Sequence, residues 1–306
     1  MYLAYDIGGT NIKYGLVSSA GEIIKKGKIA TPQTEKPFLK LLSDLTAYFQ
    51  KDNPIEGIGV SAPGSISPDG IVVNFGALVN LYGLELRRKL SERTGLPVTV
   101  ENDANCCAIA EKWQGAAQET ANYLVMVLGT GVGGGIVINH ELYRGTHGLA
   151  GEFGWSLTNG ITAAGDLEDI SQNFQSSVVL GLINNYNKAE NKKEIEDAKV
   201  IVDLVKSGDR VATAVFEEFL TNIAVNLLNL TAYFDPEVIL IGGGISANDF
   251  FMEKLQEKWL ELIKRHTALN RIREQGQLTE IKRAKLMNDA GMIGAAYIIK
   301  KMIEEL

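Results

Sequence analysis

Leu128–Gly135 reads LGTGVGGG, and both its flanks, Tyr123–Leu128 (YLVMVL) and Ile136–Ile138, are β-prone. Glycines 129, 131 and 134 spell the G-x-G-x-x-G of a dinucleotide-binding turn, but that reading requires a helix to open directly after the last glycine. Here a β-branched run follows instead, so the unit is strand, turn, strand. A second stretch, Asp6–Lys13 (DIGGTNIK), has the same build: Tyr2–Tyr5 leads in and an alternating run from Ile12 to Val17 leads out. A hairpin tipped with glycine can bring bare backbone N–H groups against phosphate oxygens. Either one alone reads as an ordinary glycine hairpin. Their shared Gly-Thr chemistry favours a nucleotide gripped from two sides, and no GxxxxGK[ST] of a P-loop occurs.

The rest of the composition narrows the function. At 306 residues, 45% hydrophobic and 22% charged, the chain can bury a substantial core spread over about two domains. A net charge of −7 without a long Lys/Arg run leaves no electrostatic footprint for nucleic acid. No basic leader precedes the first strand, and no apolar run approaches the roughly 20 residues of a membrane span, so the expected compartment is the cytoplasm, without a membrane partner. The two cysteines, Cys106 and Cys107, are sequence neighbours, too close for a structural disulfide, and read as small buried thiols in a helix. With three histidines and no CxxC, a cysteine-rich zinc site is not encoded.

Periodicity predicts helices over Phe38–Phe49, Leu84–Thr94 (closed by Gly95), Val211–Phe234 (stopped by Asp235-Pro236) and Phe250–Arg265. Strands are predicted at Gly57–Ser61, Val98–Val100, Val238–Ile241 and Ile281–Leu286. A terminal helix begins at Asp289-Ala-Gly-Met-Ile-Gly-Ala-Ala296, where small residues permit close backbone approach. The expected domains are 1–117, completed by the helix 290–306, and 118–289, with no low-complexity linker between them.

The ordered set DIGGTNIK, SAPG (61–64), ENDAN (101–105), LGTGVGGG, HGLAGEFG (147–154), LIGGG (240–244) and DAGMIGAA (289–296) resembles the ROK family of sugar kinases over nearly the whole chain. The resemblance implies an α/β, two-lobed actin/hexokinase-like (ribonuclease H-like) fold, with ATP and sugar in the cleft between lobes. It also implies a lean toward homodimers. The family's repressors carry a DNA-binding segment before the first Gly-Thr turn; with that turn at Asp6, none is expected here.

Phosphoryl transfer needs a held triphosphate, offset charge and an acceptor hydroxyl relieved of its proton. Asp103, at the start of a helix after the 98–100 strand, reads either as a helix N-cap or as the base; the family's matching aspartate is the general base. Asn102 suits neighbouring sugar hydroxyls, as its family counterpart does, or local turn bonding. Gly8, Gly9, Thr10, Gly129, Thr130 and Gly131 are expected at the phosphates, and Asp6 where a carboxylate can hold magnesium through water. Lys13 could neutralise the terminal phosphate, and Gly242, Gly243 and Gly244 could wall the adenosine. Gly64 and Asn80 match positions near the sugar in this family.

Family members commonly read GExGH and, after a Cys-rich zinc loop, GCxE. Here Glu152-Phe-Gly154 is followed by Trp155, and the later segment is Gly165-Asp-Leu-Glu168. The zinc histidine and cysteines are gone, and the loop from Ser156 to Ala164 is short, so no zinc is expected. Glu152 and Glu168 persist at positions whose counterparts bind sugar hydroxyls. His147 lies upstream of the lost ligand and reads as structural. Trp155 either stacks on a sugar face, admitting a substituted sugar such as a β-glucoside, or fills the vacated volume. The second is preferred because tryptophan mainly supplies buried area.

The implied function is MgATP-dependent phosphorylation, at the primary 6-hydroxyl, of a hexose or hexose derivative: glucose, N-acetylmannosamine, fructose or a β-glucoside. Rivals are a sugar-sensing regulator of the same fold that binds without phosphorylating, and an ATPase acting on a protein partner.

Overall fold

Tyr2–Ile7 alternates strictly, and that alternation sets the first half of the architecture: Leu3, Tyr5 and Ile7 enter one buried cluster while Tyr2 and Ala4 enter another. In a computed structural model describing all residues except 77, 159, 162–164, 192–194 and 306, the chain runs β1 (Tyr2–Ile7), β2 (Asn11–Val17), β3 (Ile23–Ala30), α1 (Glu35–Gln50), β4 (Gly57–Ala62), α2 (Leu86–Thr94), β5 (Val98–Asn102) and α3 (Asp103–Trp113). It continues through β6 (Tyr123–Leu128), β7 (Val132–Ile138), β8 (Glu141–Leu142), α4 (Gln172–Ser176), α5 (Asn184–Ala189), α6 (Ala198–Lys206) and α7 (Arg210–Phe234). The last elements are β9 (Val238–Gly242), α8 (Asp249–Arg265), α9 (Thr267–Glu274), β10 (Glu280–Arg283) and α10 (Ala290–Glu304).

Two compact units result. The first comprises Met1–Glu119, Gly135–Ala150 and Asn288–Leu306. Residues 135–150 join it, although the boundary drawn from the sequence leaves them on the other side. Its sheet has the order β3-β2-β1-β4-β5, with β1, β2 and β3 antiparallel and β1, β4 and β5 parallel. One face packs on Phe38, Leu39, Leu42 and Phe49 of α1 and on Leu86 and Leu90 of α2. The other face packs on Cys106 of α3 and on Met292, Ala295, Ala296 and Ile299 of α10. Small residues make this second contact close. A Cβ on Gly59 of β4 would run into the Ala295 carbonyl, and one on Gly294 into the Cys106 carbonyl. Both cysteines are free, and burial pushes both thiols well above their usual range.

The second unit comprises Thr120–Gly134 and Gly151–Met287. It holds β10, β9 and β6, which run parallel and head a sheet of order β10-β9-β6-β7-β8. Helix α7 packs against α4, α5, α6 and α8. Its Phe216, Leu220, Ile223, Leu227 and Leu230 repeat every three or four residues, which puts them on one buried face. It ends where Asp235 takes a left-handed φ of 44° before Pro236. Against the expectation of no membrane-length run, α7 is long and apolar enough by length and composition, because its interior carries few charges; half of its most apolar window is buried in the unit. The final strand ends at Arg283, short of the predicted Leu286.

Candidate active site

Strand register places the first group of site residues. Asp6 lies opposite Lys13 on β2 and beside Ser61 on β4, and Ser61 lies beside Glu101 on β5. Side chains level with one another on neighbouring strands share a face, so Lys13, Asp6, Ser61 and Glu101 form one polar row beneath α3 and α10. Ser61 Oγ donates to Asp6 Oδ1 at 2.9 Å, and Lys13 Nζ pairs with Oδ2 at 3.1 Å while donating to the Asn288 carbonyl at 3.2 Å. Lys13, 41% exposed, is thus engaged at its ammonium end. A Cβ on Gly291 would lie 2.5 Å from Asp6 Oδ1. Only glycine lets the first turn of α10 rest on this carboxylate. One anchored carboxylate, its partners already in place, suits a magnesium ion held through water better than direct ligation.

At the start of α3 the structure separates two roles that the sequence left open. The helix cap is Asn102: its Oδ1 accepts from Ala104 N at 2.9 Å and Asn105 N at 3.0 Å. Its Nδ2 donates to the Gly64 carbonyl at 2.9 Å, which ties the helix to the turn after β4. Asp103 is therefore the first helical residue, with Oδ1 accepting from Ala104 N at 2.8 Å, and capping does not account for it. Gly64 has φ 82°, and a Cβ there would meet the Asn74 carbonyl. Asn80 sits exposed on the turn Val79–Leu81; no hydrogen bond ties it to Asn102 or Asp103 among the described residues. His147 is exposed in the same unit.

Sequence reasoning missed Glu101 and Arg144. Glu101, 9% exposed, accepts from Asn102 N at 3.0 Å, from Asn105 Nδ2 at 2.9 Å and from Arg144 Nε at 2.7 Å. Its place in ENDAN, beside two residues of interest, was the available signal.

The first hairpin closes through Gly8 N donating to Asn11 O at 2.9 Å, a contact a Cβ on Gly8 would crowd. Thr31 Oγ1 donates to the Gly8 carbonyl at 2.7 Å, and Gly9 and Thr10 stay exposed at the tip.

In the second unit, Gly129 N donates to the Gly131 carbonyl at 3.0 Å, leaving Thr130 exposed at the tip. The Gly129 carbonyl accepts from Val178 N at 2.9 Å, and Asn173 Oδ1 accepts from Val132 N at 2.8 Å, which anchors the hairpin to α4 and the turn after it. The later glycines of the run serve packing. A side chain on Gly134 would strike the Phe153 ring, and one on Gly135 would strike Ala108. Pairing of β6 with β9 brings Gly242 beside Val127, so Gly243 (φ 87°) abuts the Leu128 carbonyl and Gly244 opens a short turn closed by Ser246 Oγ on Gly243 O at 2.8 Å. The Gly129–Gly131 tip and Gly243–Gly244 are thereby neighbours.

Glu152 precedes a single turn, Phe153–Trp155, and is partly buried. Burial raises its carboxyl above the usual range, and among the described residues it has no hydrogen-bond or ion-pair partner. Glu168 is exposed on the turn Leu167–Ile170. The two segments run side by side: Gln172 N donates to the Ser156 carbonyl at 2.9 Å, and Leu157 bridges Ser171. Trp155 is 51% exposed, which corrects the volume-filling expectation; Leu157 and Leu167 are exposed as well. Part of the short loop, 159 and 162–164, lies outside the described residues. Among those described, no group of three or more His, Cys, Asp or Glu side chains could hold a metal ion.

Two α/β units, each with a glycine-threonine hairpin on its sheet, define the actin/hexokinase-like class. The chain belongs to the ROK family, whose sequence model matches residues 2–302. It is 35% identical over 300 residues to a β-glucoside kinase of Listeria innocua, covering 96% of this chain and 95% of that one. It is 33% identical over 297 residues to a β-glucoside kinase of Klebsiella pneumoniae, covering 96% and 94%. A crystal structure of a ROK family protein from Streptococcus pneumoniae in complex with sucrose matches with a TM-score of 0.86 at 28% identity, over 100% of this chain and 99% of that one.

Proposed function

We infer that the chain is an ATP-dependent sugar kinase that transfers the γ-phosphoryl group to the 6-hydroxyl of a β-glucoside. The observation that carries the acceptor assignment is Glu152: a partly buried carboxylate without a partner among the described residues asks for hydroxyl donors, and a sugar supplies them. Glu168 on the adjoining turn supplies a second acceptor. The exposed Trp155, with Leu157 and Leu167, offers apolar surface for a second ring or aglycone, and the β-glucoside kinases at 33% and 35% identity point the same way.

In this reading Asp103 takes the proton from the acceptor hydroxyl, and Asn102 holds the base at the helix start and directs its remaining amide hydrogen to the sugar. Gly64 and Asn80 border the acceptor. Gly8, Gly9 and Thr10, together with Gly129, Thr130 and Gly131, present backbone and hydroxyl donors to the phosphates. Lys13 offsets their charge. Gly242, Gly243 and Gly244 flank the adenosine. Magnesium, when bound with the nucleotide, supplies positive charge to the triphosphate, and Asp6 is the residue that would hold it through water. Trp155 in place of a histidine, and the absence of cysteine from 156–168, support a site without zinc. We place the protein in the cytoplasm as a homodimer on the family resemblance; sedimentation equilibrium tests the dimer.

The decisive experiment is an ADP-release assay over glucose, N-acetylmannosamine, fructose and β-linked disaccharides, with wild type and Asp103→Asn. We expect turnover to be highest on β-glucosides and to fall about 10²–10⁴-fold in the variant. Equal turnover in both proteins removes Asp103 from its role. A preference for free glucose refutes the β-glucoside assignment, and sugar binding without turnover refutes the kinase.

A further inference from the structure

Glu101 is a buried carboxylate with three partners on two separate pieces of the first unit, the start of α3 and the loop after β8. It accepts from the backbone of Asn102, the residue that caps α3; from the side chain of Asn105, one turn further along; and from Arg144, on the loop after β8. Burying a charge costs several kcal/mol unless it is paired and hydrogen-bonded, so these contacts fix one another. The Arg144 loop closes on itself through Ala150 N donating to the Arg144 carbonyl at 3.2 Å, and a Cβ on its Gly148 would lie 3.0 Å from the Ile66 carbonyl. The loop thus rests on the segment beyond Gly64, which Asn102 Nδ2 tethers from the other side. Three pieces of backbone meet around Glu101: the Gly64 turn, the start of α3 with Asp103, and the loop 144–150, from which the chain passes directly to Gly151 and Glu152.

We propose that Glu101 and Arg144 are positioning residues for the acceptor side of the reaction, holding Asp103 and the loop that leads to Glu152 in one fixed arrangement. Neither touches the reacting atoms. The pair acts through Asn102 and through the loop backbone, and among the described residues it makes no hydrogen bond to the glycine hairpins, reaching the first of them only by way of Ser61 beside it on β4. Its loss therefore disturbs the sugar and the base more than the nucleotide. The proposal rests on the kinase reading above.

The test is steady-state kinetics on Arg144→Ala, Arg144→Lys and Glu101→Gln, varying sugar and ATP separately, with Tm measured for each. Arg144→Ala is expected to lower kcat/KM for the sugar about 10–100-fold, the scale of a displacement of about 1 Å at a reacting group, with KM for ATP changed less than about twofold. Arg144→Lys keeps the charge but not the planar donor and should recover part of the loss. Arg144 is partly exposed, so its truncation leaves a folded protein even if Glu101→Gln does not. The proposal is overturned if Arg144→Ala matches wild type on the sugar. It is also overturned if sugar and ATP parameters decline together with Tm, which marks a purely structural pair. Absence of sugar-dependent turnover in wild type is a separate outcome that defeats the kinase reading and this proposal with it.

Discussion

Replacing Asn102 with alanine removes three hydrogen bonds at once, and their separate roles can be worked out from the geometry. Two belong to the cap, from Ala104 N and Asn105 N; the third tethers the Gly64 carbonyl. Loss of an Asn cap costs about 1 kcal/mol, and loss of one partly buried amide-to-carbonyl bond costs about 1 kcal/mol more. At about 2–4 °C per kcal/mol for units of 150–250 residues, Asn102→Ala should unfold about 4–8 °C below wild type. Asn102→Asp discriminates between the roles, because its carboxylate accepts both cap bonds and adds negative charge at a helix N-terminus, yet has no donor for Gly64. It should keep more than half of the lost Tm while showing a raised KM for the sugar. The assay is thermal unfolding by calorimetry alongside sugar kinetics on both variants. An alanine variant that melts within about 1 °C of wild type would refute the cap assignment. An aspartate variant with wild-type sugar KM would refute the functional weight given to the tether.

Further expectations follow from individual contacts. Gly291→Ala gains helix propensity of up to about 1 kcal/mol, yet drives a methyl against Asp6 Oδ1 and Ser61 Oγ; it should destabilise by about 1–3 kcal/mol net, measured by urea unfolding, and a stabilised variant would contradict the close approach of α10. Gly243→Ala must hold alanine at φ 87° against the Leu128 carbonyl beside the Gly129 tip, so KM for ATP should rise with the sugar KM little changed. Burial raises the Glu152 carboxyl in the folded state, so folding is favoured by its neutral form below the usual range near 4.5, and that advantage is lost as pH rises through the folded value. Glu152→Gln should accordingly melt higher than wild type at neutral pH, with the gap closing on acidification; parallel Tm curves from pH 4 to 8 would sink this. Metal analysis of purified protein should find no stoichiometric zinc.

The hairpins and the order of α and β elements were legible, and Asn102, Asp103, Glu152 and Glu168 could be proposed for the acceptor, because each is marked locally, by a glycine turn, a helix start or a motif. What escaped depends on partners far along the chain. Gly134 is glycine because Phe153 lies over it, and Gly135 because α3 does; from the run alone both look like part of the phosphate turn. Asp103 read either as the cap on α3 or as the base until backbone geometry assigned the cap to Asn102. Glu101 gains meaning only with Arg144, 43 residues on. Trp155 was read from the average habit of tryptophan, whereas its surroundings decide its burial, and these leave it half exposed.

The contact of α10 with β1, β4 and α3 also fixes an order of events during synthesis. The first unit's sheet strands and α3 leave the ribosome well before the segment that covers one of their faces. Until Ala290–Glu304 has been made, Tyr2, Ala4, Val17 and Cys106 lack the helix they pack on, and Gly59 has nothing to approach. The amino-terminal region of this chain is therefore obliged to wait for the carboxyl-terminal one, in contrast to domains that fold as they emerge. A nascent chain arrested before Asn288 should present that apolar sheet face to chaperones.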